Sequence, residues 1–199
     1  MGVKKLLEVD IWQEPTGISE KLNAFQEDLL SIDIESEFPD RRFLVDRFPT
    51  VLRYPLSETL EIFYDNCKHD ETKYTYYLRE EQRFIEVIKR LWTLSPVFVQ
   101  TNLADRDFEQ LKAHVEDHES LAKAFDDALR YLVYEIESNE QIEILAKLSL
   151  RDKIHACFIF PETKMVVRAN GLILEVYLGD LSKKEWLQLI CTTHGLYLR

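Results

Sequence analysis

The sequence predicts an α+β fold: an antiparallel or mixed sheet that ends in a C-terminal β-meander and packs against several amphipathic helices. Two observations carry that prediction. Through the middle of the chain apolar residues return every three or four positions, the spacing of one helix face. In the last third, β-branched and aromatic runs alternate with polar segments of turn length, the pattern of strands joined by hairpins.

In chain order, Ile18, Leu22, Phe25, Leu29 and Leu30 keep helical spacing over residues 18–30, with Thr16 or Ser19 in position to cap the start. Residues 31–58 carry Pro39, Pro49 and Pro55. Each proline lacks a backbone donor, which predicts short strands and irregular loops there. Residues 59–64 alternate weakly and predict a strand before the polar turn Asp65-Asn66. The longest helix is expected over 71–94, where Tyr77, Leu78, Phe84, Ile85, Ile88, Leu91 and Trp92 share a face, and Ser95-Pro96 stops it. Val97-Phe98-Val99 then suits a strand buried against that helix.

A second helical region opens near Asp105, with Phe108, Leu111 and Val115 on one face. Behind it Leu121, Ala124, Phe125, Ala128, Leu129, Leu132 and Val133 continue the period in a helix that Ser120 is placed to cap. Residues 154–160 and 165–168 flank Pro161-Glu162-Thr163-Lys164, a connection of hairpin length, and Asn170-Gly171 offers a turn before 172–178. That is a three-strand meander. A final helix carries Trp186, Leu189 and Ile190, with Ser182 three residues ahead of Glu185 at capping-box spacing. One α+β domain over 1–199 accounts for these elements, with a helical N-terminal region inside 1–58.

Composition narrows the function. The chain has 199 residues, 46% of them hydrophobic and 31% charged, with 5 Gly and 6 Pro, which excludes collagen-like, low-complexity and broadly disordered classes. A net charge of −11 repels phosphate backbones and anionic lipid surfaces, so neither a nucleic acid nor a membrane is expected as partner. The opening Lys4-Lys5-Leu6-Leu7 is broken by Glu8 and Asp10, and Leu6 stands where myristoylation wants Ser or Thr. No run approaches the roughly 18 apolar residues of a membrane span. Cys67, Cys157 and Cys191 form no CxxC pair, and their odd number fits a reducing, cytoplasmic setting. Residues 105–143 hold twelve acidic and four basic side chains, a balance of −8, whereas residues 144–199 balance at +3.

Three stretches resemble a bacterial family known as the domain of unknown function numbered 3885. Phe48-Pro49-Thr50-Val51-Leu52-Arg53-Tyr54-Pro55-Leu56 looks like that family's opening strand. Residues 83–88 followed by Ser95-Pro96-Val97-Phe98-Val99 are similar to its helix-then-strand step, and residues 158–167 with Asn170-Gly171 and Trp186 resemble its closing hairpin and terminal helix. The family's Asp-Asp-Arg-Gly turn is replaced here by Arg168-Ala169-Asn170-Gly171. The resemblance covers about half the chain, and it implies a fold type and no chemistry.

Candidate chemistry is sparse. His114-Val115-Glu116-Asp117-His118 places two imidazoles at i and i+4, the spacing at which a helix can clamp a divalent metal, although Val115 and Asp117 stand where HExxH and HxxEH carry their glutamate. The bland alternative is a pair of solvated or capping histidines near the end of an acidic helix. Cys157 with His155, and Cys191 with His194, lack a glycine-rich elbow and read as buried cysteines. The carboxylate pairs Glu80-Glu81, Asp126-Asp127 and Asp105 with Asp107 read as solvated faces. Five scattered glycines form no phosphate cradle. Tyr74, Tyr76 and Tyr77 suggest an aromatic patch or partial core packing.

The function expected from these observations is non-enzymatic: an immunity-like module that binds a basic protein partner through Asp105, Asp107, Glu109, Glu116, Asp117, Glu119, Asp126 and Asp127, without a cofactor. Its rivals are a metal-dependent hydrolase using His114 and His118 with a divalent metal, and a structural subunit of a larger assembly.

Overall fold

A computed structural model describes residues 29–31, 33, 36 and 38–199. The helix expected over 18–30 lies outside the described residues except at its end, where Leu29–Ser31 form a single 3-10 turn.

A 3-10 turn at Pro39–Arg41 leads into strand β1 (Arg42–Asp46). Two short helices follow, α1 (Leu56–Leu60) and α2 (Tyr64–Cys67), and then the long helix α3 (Glu71–Trp92). Strand β2 (Phe98–Thr101) is separated by a 3-10 turn from α4 (Phe108–Lys112) and α5 (His118–Arg130). Strand β3 (Val133–Glu135), helix α6 (Asn139–Leu150), the meander β4 (Ala156–Phe160), β5 (Met165–Ala169) and β6 (Leu174–Leu178), helix α7 (Lys184–Thr193) and the short strand β7 (Tyr197–Leu198) complete the chain.

The seven strands form one sheet in the order β3-β2-β4-β5-β6-β1-β7, every pair antiparallel. The expected α+β architecture and its C-terminal meander are therefore present, and of antiparallel or mixed, the sheet is antiparallel. Gly171 turns between β5 and β6 at φ +55°, a conformation that suits glycine, and its N–H donates to Asp152 Oδ1 at 2.9 Å.

Period-2 alternation assigns the sheet's two faces. In β4, Ala156, Phe158 and Phe160 enter the large cluster beneath the helices, while Cys157 and Ile159 enter a second cluster with Leu29, Phe38, Phe98, Val166 and Tyr177. Helix α6 lies against β4 and β5, with α3 and α5 packed against it. Its buried Ile142, Leu145 and Leu148 meet Phe84, Val87, Ile88 and Leu91 of α3 in one core, where each large apolar side chain contributes about 1.5–3 kcal/mol. Ser149 Oγ donates to Ala169 O at 2.8 Å, tying the helix to the sheet.

Several expected elements are corrected. The strand expected over 59–64 does not form. Thr59 and Leu60 end α1, and Tyr64 opens α2 because its ring is needed in the core beside Tyr77, at 5.6 Å between centroids. The stretch that looks like an opening strand, 48–56, is irregular up to Leu56, and the strand lies just ahead of it at Arg42–Asp46. Helix α6 has no counterpart among the expected elements: eight of its residues are buried, so it shows no clear polar stripe. Caps differ as well. Asp117, not Ser120, caps α5, and Asp180 caps the 3-10 turn that carries Ser182.

Candidate functional site

Helix α5 begins because the Asp117 carboxylate accepts from Glu119 N at 3.1 Å and Ser120 N at 3.0 Å, filling two otherwise orphaned donors. Those bonds, the one from Ser120 foremost, hold the Asp117 carboxyl below its usual range. Asp107 caps α4, its carboxylate accepting from Glu109 N and Gln110 N. Two of the eight acids expected to face a partner are thus helix caps. Glu109 pairs with Lys112 at 2.7 Å and Glu116 with Lys147 at 3.4 Å. Asp105, Glu119 and Asp126 are exposed, and Asp127 is half-buried, its Oδ2 accepting from Gln141 Nε2 at 3.3 Å.

The far end of α5 decides the character of this face. Tyr131 leaves the helix in an extended conformation, and its N–H closes the last turn on Asp127 O at 2.9 Å. Only Tyr131 and Leu132 separate the helix from β3, so there is no room to turn their side chains inward. Leu129 is 60% exposed, Tyr131 52% and Leu132 39%. The helical period that placed Leu129, Leu132 and Val133 on one buried face therefore ends too early: Val133 belongs to β3, and Leu129 and Leu132 face solvent. The outcome is three exposed large apolar side chains, next in sequence to Asp126, Asp127, Arg130 and Glu135, at the sheet edge where β3 pairs only with β2 among the described residues. Sequence reasoning missed Tyr131, Tyr134, Glu135 and Glu137. Their signal was a helix whose apolar residues outnumber one stripe at its C-terminal end.

The other sequence candidates fall elsewhere. His114 lies in the turn after α4 and His118 is the first residue of α5, so no common helix face joins them. His114 Nδ1 stands 3.2 Å from Tyr64 Oη, and His118 Nε2 stands 3.2 Å from Lys112 O. Burial, followed by the nearby ammonium groups of Lys153 and Lys68, lowers the His114 pKa. Among the described residues no group of three or more His, Cys, Asp or Glu side chains is arranged to hold a metal ion. Cys157 and Cys191 are buried while His155 is exposed, and burial pushes the Cys191 thiol up to about 12.

Tyr74, Tyr76 and Tyr77 form no common patch. Tyr77 is buried and donates to Leu150 O at 2.9 Å, Tyr74 is half-buried against Tyr64, and Tyr76 is exposed under Arg79. Glu80-Glu81 is not a solvated pair either. Both are buried; Glu80 pairs with Arg83 at 2.5 Å, and Glu81 is held by Arg151 through two bonds of 2.7 and 2.6 Å. Burial pushes the Glu81 carboxyl upward against the pull of Arg151, whose guanidinium remains charged and keeps the carboxylate as its counter-ion. Arg151 also lies over the Tyr64 ring at 4.8 Å and donates to His114 O. This cluster locks α2, α3, α6 and the α4–α5 turn together.

Among the described residues no helix is long and apolar enough to cross a membrane. Comparison of the chain with protein-family models, with curated proteins and with solved structures found no match.

Proposed function

We propose that this protein is a non-enzymatic, immunity-like binding module whose acidic helical surface holds a basic protein partner in a cytoplasmic setting. The observation that carries the reading is the exposure of Leu129, Tyr131 and Leu132 within a stretch, 105–143, that holds twelve acidic and four basic residues. Apolar and aromatic anchors supply most of the affinity at protein interfaces, and the charged rim supplies on-rate and selects the sign of the partner. The acids between Asp105 and Glu119 extend the same negative field along α4 and α5. The likeness to the domain of unknown function numbered 3885 adds a fold type to this proposal and no chemistry.

The test is affinity capture at low and raised ionic strength, followed by affinity measurement on the recovered partner. Tyr131→Ala is expected to weaken binding by tenfold or more. The double change Asp126→Asn, Asp127→Asn is expected to slow association and flatten the salt dependence. A partner without net positive charge, or binding indifferent to both variants, overturns the proposal.

A second reading, a subunit of a larger assembly, has its own observation. Between β1 and α2 the chain exposes Val51, Leu56, Phe63 and Tyr54, the last at 78%. Val51 and Phe63 also line a cavity of about 320 Å³ with Arg47, whose Nε and Nη1 have no hydrogen-bond partner. A chain that sediments as a monomer at all accessible concentrations removes this reading.

A further inference from the structure

Of the five asparagines in the sequence, Asn170 alone precedes a glycine. In an Asn-Gly pair no Cβ on the second residue hinders its nitrogen from approaching the asparagine side-chain amide, the approach from which deamidation starts. Asn170 is exposed, and with Asp152 and Gly171 it lines the cavity of about 320 Å³. The Gly171 nitrogen is nevertheless engaged. Its N–H donates to Asp152 Oδ1 at 2.9 Å, while Asn170 N closes the turn on Ile173 O at 3.1 Å.

Asp152 makes that bond from an unusual backbone position. Helix α6 ends with Asp152 N donating to Ser149 O at 3.1 Å and Lys153 N donating to Leu148 O at 2.9 Å, the pair of bonds that closes a helix on a left-handed residue. Glycine is the usual occupant, yet Asp152 takes it at φ +56°. Glycine there would ease the backbone and leave the Gly171 N–H without its acceptor. A non-glycine residue in this conformation points to a use for its side chain, and the Asp152 carboxylate is spent on the Asn170-Gly171 peptide.

We propose that Asn170 is a deamidation site of this protein and that Asp152 holds the reaction back. In the reaction Gly171 N loses its proton and attacks Asn170 Cγ, the Cγ–Nδ2 bond breaks, and the side-chain nitrogen leaves as ammonia. Water then opens the five-membered imide, leaving aspartate or isoaspartate at position 170. The carboxylate opposes the first step twice, because its hydrogen bond stabilises the protonated amide and its negative charge disfavours the amide anion. The place of the turn in the sheet gives the reaction its consequence. It joins β5 to β6, two interior strands paired with Ala169 opposite Leu174 and Met165 opposite Leu178. Isoaspartate adds a carbon to the backbone of the tight turn that fixes this register.

The experiment incubates the full chain near neutral pH, folded and in urea, and follows the amide-to-acid mass gain in the tryptic fragment from Ala169 to Lys183. Modification at position 170 is expected in urea and is expected to be slower by about tenfold or more in the folded parent. Two variants separate the carboxylate's charge from a loosening of the turn. Asp152→Gly removes the acceptor and suits the backbone, and its folded rate is expected to exceed the parent's by about tenfold. Asp152→Asn keeps an acceptor oxygen without the charge; its rate is expected to lie between the two at an unchanged melting temperature. Asn170→Ser should show no such mass gain in the fragment. If the folded parent reacts as fast as the urea sample, or both Asp152 variants stay at the parent's rate, the role of Asp152 falls. A rate that rises only in a variant with a lowered melting temperature makes that role structural and also overturns it. If the fragment stays unmodified in urea while other asparagines react, the assignment of Asn170 falls.

Discussion

Arg151 joins helix α3, Tyr64 of α2 and the α4–α5 turn at the end of α6. Its guanidinium is almost wholly buried, bidentate on Glu81 seventy residues away in sequence, stacked on Tyr64 and bonded to the backbone of His114. Desolvating two charges costs about as much as their attraction returns, so the pair's net contribution is modest, but removing one partner strands the other in the core. Arg151→Met is therefore expected to lose about 3–5 kcal/mol in urea denaturation. The double variant Glu81→Met, Arg151→Met is expected to recover a large part of that loss, because no uncompensated charge remains. A double variant as unstable as the single one would show that the contacts to Tyr64 and His114 dominate.

Helix α5 owes its start to one carboxylate, and its abrupt end leaves Tyr131 and Leu132 exposed. Because Asp117 caps the first turn through Ser120 N and Glu119 N, Asp117→Ala is expected to lower the melting temperature, while Asp117→Asn, which keeps the acceptor, is expected to retain most of the stability. The folded carboxyl titrates below its unfolded value, so the cap's contribution is complete above the unfolded pKa and is lost as pH falls through the folded one. Differential scanning calorimetry of the three proteins at neutral and acidic pH checks this. Equal melting of Asp117→Ala and parent at neutral pH would remove the cap from the account.

At the scale of the whole molecule, His114 and Asp65 contribute to the acid side of the stability profile alongside carboxylates such as Asp117 and Glu143. The half-buried His114 imidazole has a lowered pKa, so below about 6.5 the unfolded chain takes up a proton that the folded chain resists, and stability falls with pH. Asp65, held by Lys153 and Lys68, titrates at about 2; its contribution is complete above 3.8 and is lost as pH falls from there toward about 2. Urea midpoints are expected to decline between pH 7 and pH 5 and again below about pH 4. His114→Gln should flatten the first decline and leave the second, and a first decline that persists unchanged in that variant assigns it to other groups.

What the sequence alone determined is the set of elements whose signal is local. The 71–94 period, the Pro161–Lys164 connection and the Asn170-Gly171 turn each specify their own backbone, and the structure places α3 and the β4–β5–β6 meander there. The tertiary structure alone decided which residues face what. Glu81 reads as one of many surface acids until Arg151 arrives from the end of α6, and Leu129 and Leu132 read as core until β3 takes the chain away from the helix. Helix α6 escaped because neighbours on nearly every side erase the stripe that would announce it. His114 and His118 share a spacing but not a helix, because Asp117 begins a new one between them. Periodicity reports how side chains are arranged around their own axis, whereas burial and charge pairing depend on segments distant in sequence, and the acidic, apolar-centred surface at the end of α5 is a product of the second.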